Sequence, residues 1–228
     1  METTIGFGST IIALGLGAYL FSIKEIIIAL VMIGWLQSLF LIVRGWKHIL
    51  WKILLTRILL FSAIGMPVGM LLYSYFDERQ LKLALGIFIV LISAHQIYTL
   101  LKNNGELKPL HFVPATIVLI LGGFIHGIFA TGGPLIVYFA SREIKEKAAF
   151  RATISMLWII LNTALLIKYF IAGQLVKQPL QLAGMLVPAL LIGIGIGELI
   201  HPRVNERIFK FVVQGILLLT GLSLLFNL

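Results

Sequence analysis

Hydrophobic residues along this chain show neither the alternation of a half-buried strand nor the one-sided stripe of a helix facing water. They form nearly unbroken runs of about twenty residues, separated by short clusters of charge. A helix of that length rises about 30 Å, enough to cross the hydrocarbon of a bilayer. Eight apolar segments can be drawn, at residues 5–23, 26–43, 53–76, 83–101, 112–141, 152–171, 180–200 and 208–226. All are expected to be helical, because the dyad alternation of an outer-membrane strand is missing. The pattern predicts an all-α integral membrane protein, a polytopic bundle of about 7–8 helical segments forming one transmembrane domain over residues 1–228. The connecting loops are too short to hold an extramembrane catalytic module.

One segment breaks its own pattern. Residues 122–138 read GGFIHGIFATGGPLIVY, with Gly132-Gly133-Pro134 interrupting the apolar run. An unpaired N–H or C=O facing lipid costs several kcal/mol, so such a break survives only where protein or a polar cavity surrounds it. In transporters that place is the usual substrate site. Pro134 suits the first turn of a helix, and a helix starting there would present N–H groups at Gly133 and at Leu135-Ile136 to an anion. Gly122, Gly123 and Gly127 read differently, as small residues that let helices pack closely.

The two halves resemble each other. Gly65-Met66-Pro67-Val68-Gly69 and Glu78-Arg79-Gln80-Leu81-Lys82 match Gly193-Ile194-Gly195-Ile196-Gly197 and Glu206-Arg207-Ile208-Phe209-Lys210 at a spacing of 128. Gln37-Ser38 matches Asn162-Thr163, and Gly8-Ser9 matches Gly133-Pro134, at a spacing of 125. Two repeats, about 1–108 and 109–228, are therefore expected, each with a broken or re-entrant segment. The first lacks a counterpart of residues 112–126, so that limb was lost or lies upstream of Met1.

Charge placement bears on the topology of residues 112–141. As one span, Lys and Arg divide roughly eight against ten between the two faces. As a hairpin, thirteen fall on one face and five on the other, namely Lys24, Arg79, Lys82, Lys168 and Lys177. The second count is the asymmetry that basic cytoplasmic loops produce. It predicts a hairpin or strongly broken helix, a multi-pass protein of the cytoplasmic membrane, and inverted repeats.

Composition agrees. The chain is 60% hydrophobic and 12% charged, where a soluble domain is near half apolar and a quarter charged. The net charge of +9 sits at segment ends, which points to lipid headgroups and not to nucleic acid. The absence of cysteine excludes disulfides and thiolate metal sites. The start, METTIGFGST, lacks the basic region of a cleavable signal peptide. No HExxH, GxSxG or paired intramembrane aspartates occur, and Asp77 is the single Asp, so no enzyme and no cofactor is expected.

The order of features resembles the TauE/SafE family of sulfite and organosulfonate exporters. The residues that carry the likeness are Gly123-Phe124-Ile125-His126-Gly127 followed by Thr131-Gly132-Gly133-Pro134. A degenerate copy stands at Gly6-Phe7-Gly8-Ser9-Thr10, without the double glycine. Phe150-Arg151-Ala152-Thr153, Asn162, Lys168, Tyr169 and Gly173 are also similar to the family's second half. The resemblance implies a sulfur-containing anion as substrate and export as the direction.

The candidate substrate-binding residues are Gly8, Ser9, Thr10, Gln37, His126, Thr131, Gly132, Gly133, Pro134, Arg151, Asn162 and Thr163. Gln37, Ser38, Asn162 and Thr163 are polar groups in mid-segment, either lining a pore or bonding helix to helix. His126 beside the break could couple protons to transport or bond a backbone carbonyl. Arg151 could meet an anion entering from the basic face or simply mark topology. Glu198 reads as an interfacial carboxylate paired with His201 or Arg203. Arg57 and Lys168 read as snorkelling cations. A secondary transporter of a small anion fits best, and a passive anion channel could use the same broken helices.

Overall fold

A computed structural model of the chain describes residues 9–102, 109–200 and 206–226. Among these residues the regular structure is helical throughout. The helices are α1 (Ser9–Gly17), α2 (Ile23–Gly45), α3 (Trp51–Tyr75), α4 (Glu78–Lys102), α5 (Phe112–Phe129), α6 (Gly133–Glu143), α7 (Lys147–Ile171), α8 (Lys177–Ile200) and α9 (Glu206–Phe226). Among the described residues, five helical stretches are long and apolar enough to cross a membrane: Ile23–His48, Trp51–Tyr75, Glu78–Lys102, Phe112–Phe129 and Lys147–Ile171. Their outer faces carry exposed Val43, Leu91, Val113, Ile167 and Phe170, surface that lipid, unlike water, accepts without penalty. Of the expected span at 5–23, the described part is helical over Ser9–Gly17 and ends in a turn at Ala18-Tyr19-Leu20.

Helix α3 packs along α5, α2 along α7, and α4 along α9. Glycine makes the first of these contacts possible. A Cβ added at Gly65 would lie 1.9 Å from the Ile120 carbonyl oxygen, and one at Gly69 would lie 2.1 Å from that of Phe124. In return, a Cβ at Gly123 would lie 2.0 Å from Ser62 O, and one at Gly127 would lie 2.3 Å from Met66 O. Two small-x-x-x-small faces therefore meet each other, close enough for Cα–H···O contacts across the crossing. The packing role expected for Gly123 and Gly127 is thereby placed, and Gly65 and Gly69, singled out in sequence as half of a repeat, are their partners.

Within α3, Leu54–Leu59 winds as a π-helix around Arg57, a form common at functional positions. Arg57 does not simply snorkel: it pairs with Glu143 at the end of α6 at 3.6 Å. His48, after α2, lies 3.7 Å from Glu146, before α7. The Leu50 N–H donates to Thr153 Oγ1 at 3.0 Å. One end of the bundle thus gathers the end of α2, the start of α3, the end of α6 and the start of α7. The opposite end is tied by Glu78 of α4, which accepts from Ser22 Oγ at 3.0 Å and from the Ile23 N–H. A Schellman turn closes α7 there: Gly173 takes φ +65°, and the Gln174 N–H donates to Tyr169 O at 2.9 Å.

Candidate substrate site at the helix break

The long segment at 112–141 is two helices. Helix α5 stops at Phe129, Ala130 turns left-handed at φ 54°, and α6 starts at Gly133. The residue with positive φ is therefore an alanine, whose N–H still bonds back to His126 O at 2.8 Å. The glycines act through close approach instead. A Cβ at Gly132 would sit 2.1 Å from Gly122 O and 2.9 Å from His126 Cβ, and one at Gly122 would meet the Ile136 side chain at 2.7 Å. With residue 132 beside 126 and residue 136 beside 122, α6 runs back along α5 rather than continuing it.

The start of α6 has no side-chain cap. Pro134 has no N–H to leave unmet, and the Ile136 N–H is taken by Gly132 O at 3.2 Å, so Ile136 is not the donor the sequence suggested. Gly133 and Leu135 remain as first-turn N–H groups outside the intrahelical ladder. Beside them, Thr131 is 3% exposed and its hydroxyl has no hydrogen-bond partner.

The opposing wall comes from α7. His126, 1% exposed, bonds through Nε2 to Asn162 Oδ1 at 3.1 Å. An amide oxygen only accepts, so Nε2 carries the proton and Nδ1 is left as an acceptor without a partner. The ring stacks on Trp158 at 5.2 Å between centroids and 15° between planes. Asn162 reaches α2 as well, where a Cβ on Gly34 would lie 3.4 Å from Nδ2. The middles of α2 and α7 thus meet the end of α5 and the start of α6 on buried, incompletely bonded polar atoms.

His126, Thr131, Gly132, Gly133, Pro134 and Asn162 come together here. Thr163 points elsewhere: it is exposed, accepts from Trp35 Nε1 at 3.0 Å and donates to Ile159 O at 2.6 Å. It fastens α2 to α7. Gln37 is half-buried on α2, one turn from Gly34. Arg151 lies half-buried in the second turn of α7, eleven residues and about 16 Å of helix rise from Asn162. Ser9 and Thr10 open α1, which packs against α2, α4 and α9. Gly8 lies outside the described residues, as does His201, and the Glu198 side chain is outside them too. Trp158 was overlooked in sequence, although its spacing of four from Asn162 puts both on one helix face.

Comparison with known proteins adds a lineage to this geometry. A protein of Comamonas testosteroni named "Probable inner membrane transporter protein TsaS" is 23% identical over 167 residues, covering 71% of this chain and 67% of that protein. No solved structure matches the chain. A family model described as sulfite exporter TauE/SafE matches residues 1–224, a stretch that contains every helix contributing to the break. The chain is a member of the TauE/SafE sulfite exporter family.

Proposed function

We propose that the chain is a secondary transporter that exports a small sulfur oxyanion, sulfite or an organosulfonate, across the inner membrane, and that the anion is held where α6 begins. The observation that carries this reading is the buried, unpartnered Thr131 hydroxyl beside an uncapped helix start. An oxyanion there would accept from the Gly133 and Leu135 N–H groups and from Thr131, facing the positive end of the α6 dipole. His126 and Asn162 would form the far wall, with the imidazole as the group through which protons couple to transport.

Family membership supports the substrate class, and energetics allow the direction. Moving one negative charge out of a cell with a negative interior is downhill by about 2.3 kcal/mol per 100 mV. The chain has no P-loop through which ATP could act. Access from the two faces would alternate by rocking of the two sequence repeats, in inverted orientation, about the held anion.

The test is counterflow of radiolabelled sulfite in proteoliposomes. The native protein should give saturable exchange that unlabelled sulfonates compete away, whereas a passive channel would show neither. Gly133→Leu places a side chain where the anion would meet backbone N–H groups, and should leave a monodisperse but inactive protein. Normal exchange by that variant would remove the break from the transport path.

A further inference from the structure

Among the described residues, some of the buried polar atoms without partners stand together, and one such group lies away from the break. Lys168 and Tyr169 stand near the end of α7, and Tyr73 near the end of α3. Both tyrosines are 0% exposed, with ring centroids 5.6 Å apart. Lys168 Nζ lies 4.1 Å from the centre of the Tyr73 ring and 5.1 Å from that of Tyr169. Lys24 Nζ, from the start of α2, lies 5.7 Å from the Tyr73 ring. Lys168 Nζ, Tyr73 Oη and Tyr169 Oη are all closed off from solvent, and none has a hydrogen-bond partner.

A purely structural role does not account for this chemistry. The aromatic faces attract the ammonium, but a ring face does not satisfy three N–H donors. The carboxylate bound at this end, Glu78, is occupied: it accepts from Ser22 and the Ile23 N–H, and Lys82 approaches it at 3.9 Å. An ammonium and two phenol hydroxyls, with a second ammonium near the same ring, form a set of donors whose positive charge the already bonded Glu78 offsets only in part. Its complement is a compact group that only accepts hydrogen bonds and carries negative charge.

We propose that Lys168, Tyr73 and Tyr169, with Lys24 adding charge, form a second oxyanion site, separate from the break. Its ligand is a sulfite, sulfonate or phosphate group, presented by a free anion or by a lipid head. Lys168 is six residues from Asn162, about 9 Å along the same helix and away from Arg151. The site therefore lies between the break and the face of the bundle where α2 and α4 begin. A role as a staging point for the transported anion rests on the transport reading above, but anion binding itself does not.

The experiment uses the full chain in nanodiscs of phosphatidylcholine, with melting temperature read against sulfite concentration. Asn162→Ala serves as the background, to weaken the break. In that background sulfite should still raise the melting temperature. Adding Lys168→Gln should abolish the rise, and adding Lys168→Arg should preserve it. Tyr73→Phe with Tyr169→Phe keeps both rings and the ammonium contact while deleting the hydroxyls, and should weaken the response about tenfold, the loss of roughly 1.4 kcal/mol. Nanodiscs of phosphatidylglycerol form the second arm. If they stabilise the protein without sulfite, mask the sulfite response and lose their effect with Lys168→Gln, the oxyanion is a lipid phosphate. If neither sulfite nor phosphatidylglycerol stabilises the protein in a Lys168-dependent way, the proposal is overturned. Unimpaired transport by Asn162→Ala would count against the break and leave this site standing.

Discussion

Gly132→Ala isolates the close approach of α6 to α5. The backbone of Gly132 is at φ −65° and ψ 0°, a conformation any residue adopts, so alanine meets no dihedral penalty there. Removing a glycine would by itself stabilise the fold by about 0.4–1 kcal/mol, through the unfolded chain. The opposing term is contact. The new methyl would sit 2.1 Å from Gly122 O, where ordinary contact begins at 3.4 Å. The obstacle is backbone and cannot rotate aside, so α6 must move by more than about 1 Å from α5. Overpacking of this kind costs about 1–3 kcal/mol, which outweighs the entropic gain.

The same displacement carries the Gly133 and Leu135 N–H groups away from Thr131 and from the His126–Asn162 pair. Loss of one hydrogen bond to a charged ligand is worth about 1.5–3 kcal/mol, or roughly ten- to a hundredfold in affinity. Gly132→Ala should therefore melt several degrees lower than the native protein and bind sulfite at least tenfold more weakly, read by melting temperature and by counterflow. Gly184→Ala is the control, since a Cβ there meets nothing within 4 Å in the interior of α8. It should be neutral or slightly stabilising. Native-like melting and affinity in Gly132→Ala would refute the packing argument, and lowered stability with unchanged affinity would separate the packing from the site.

Two further outcomes are expected. His126→Phe keeps a ring against Trp158 but leaves Asn162 Oδ1 buried and unbonded, so it should cost about 1–3 kcal/mol of stability, and an unshifted melting curve would argue against the His126–Asn162 bond. The chain has no native cysteine, so single cysteines at Pro109 and Lys145 should react with an impermeant reagent from one face and a cysteine at Asp77 from the other. Labelling of Pro109 and Lys145 from opposite faces would refute a return of the chain through α6.

The helices and the break were legible in the sequence for definite reasons. Apolar runs of bilayer length leave few alternatives to a helix, and Gly-Gly-Pro cannot continue one. Helix pairing was not legible. In a chain surrounded by lipid, both the packed and the exposed faces are apolar, so the stripe that orients a soluble helix is absent. Gly65 and Gly69 were therefore read only as part of a repeat motif, and their effect of admitting the backbone of α5 was missed. Lys168 was read as a snorkelling cation on the same ground: its place near a helix end fixes its depth, but not the two tyrosines it meets from α3 and from its own next position. Arg151 was read as meeting an anion that enters from the basic face or as marking topology, and it stands about 16 Å of helix rise from Asn162, towards the end of the bundle where α7 begins.

What unites the two polar clusters is that neither is explained by stability. A buried donor or acceptor without a partner costs about 1–3 kcal/mol, and hydrocarbon offers no water to relieve it. An apolar replacement of similar shape would remove that cost, as phenylalanine would for either tyrosine. Thr131, His126, Tyr73, Lys168 and Tyr169 nevertheless leave such atoms inside the protein. Three of the groups carry N–H or O–H donors at the Lys168 end, and at the break the Thr131 donor adjoins the N–H groups of a helix start. The unmet donors in each place suit the same class of guest, a small anion rich in oxygen, and the His126 Nδ1 acceptor at the break joins them only when it carries a proton. Helix α7 runs past both, with Asn162 at one and Lys168 at the other. The same physical argument that supports the proposed anion at the break therefore applies a second time, about 9 Å further along that helix.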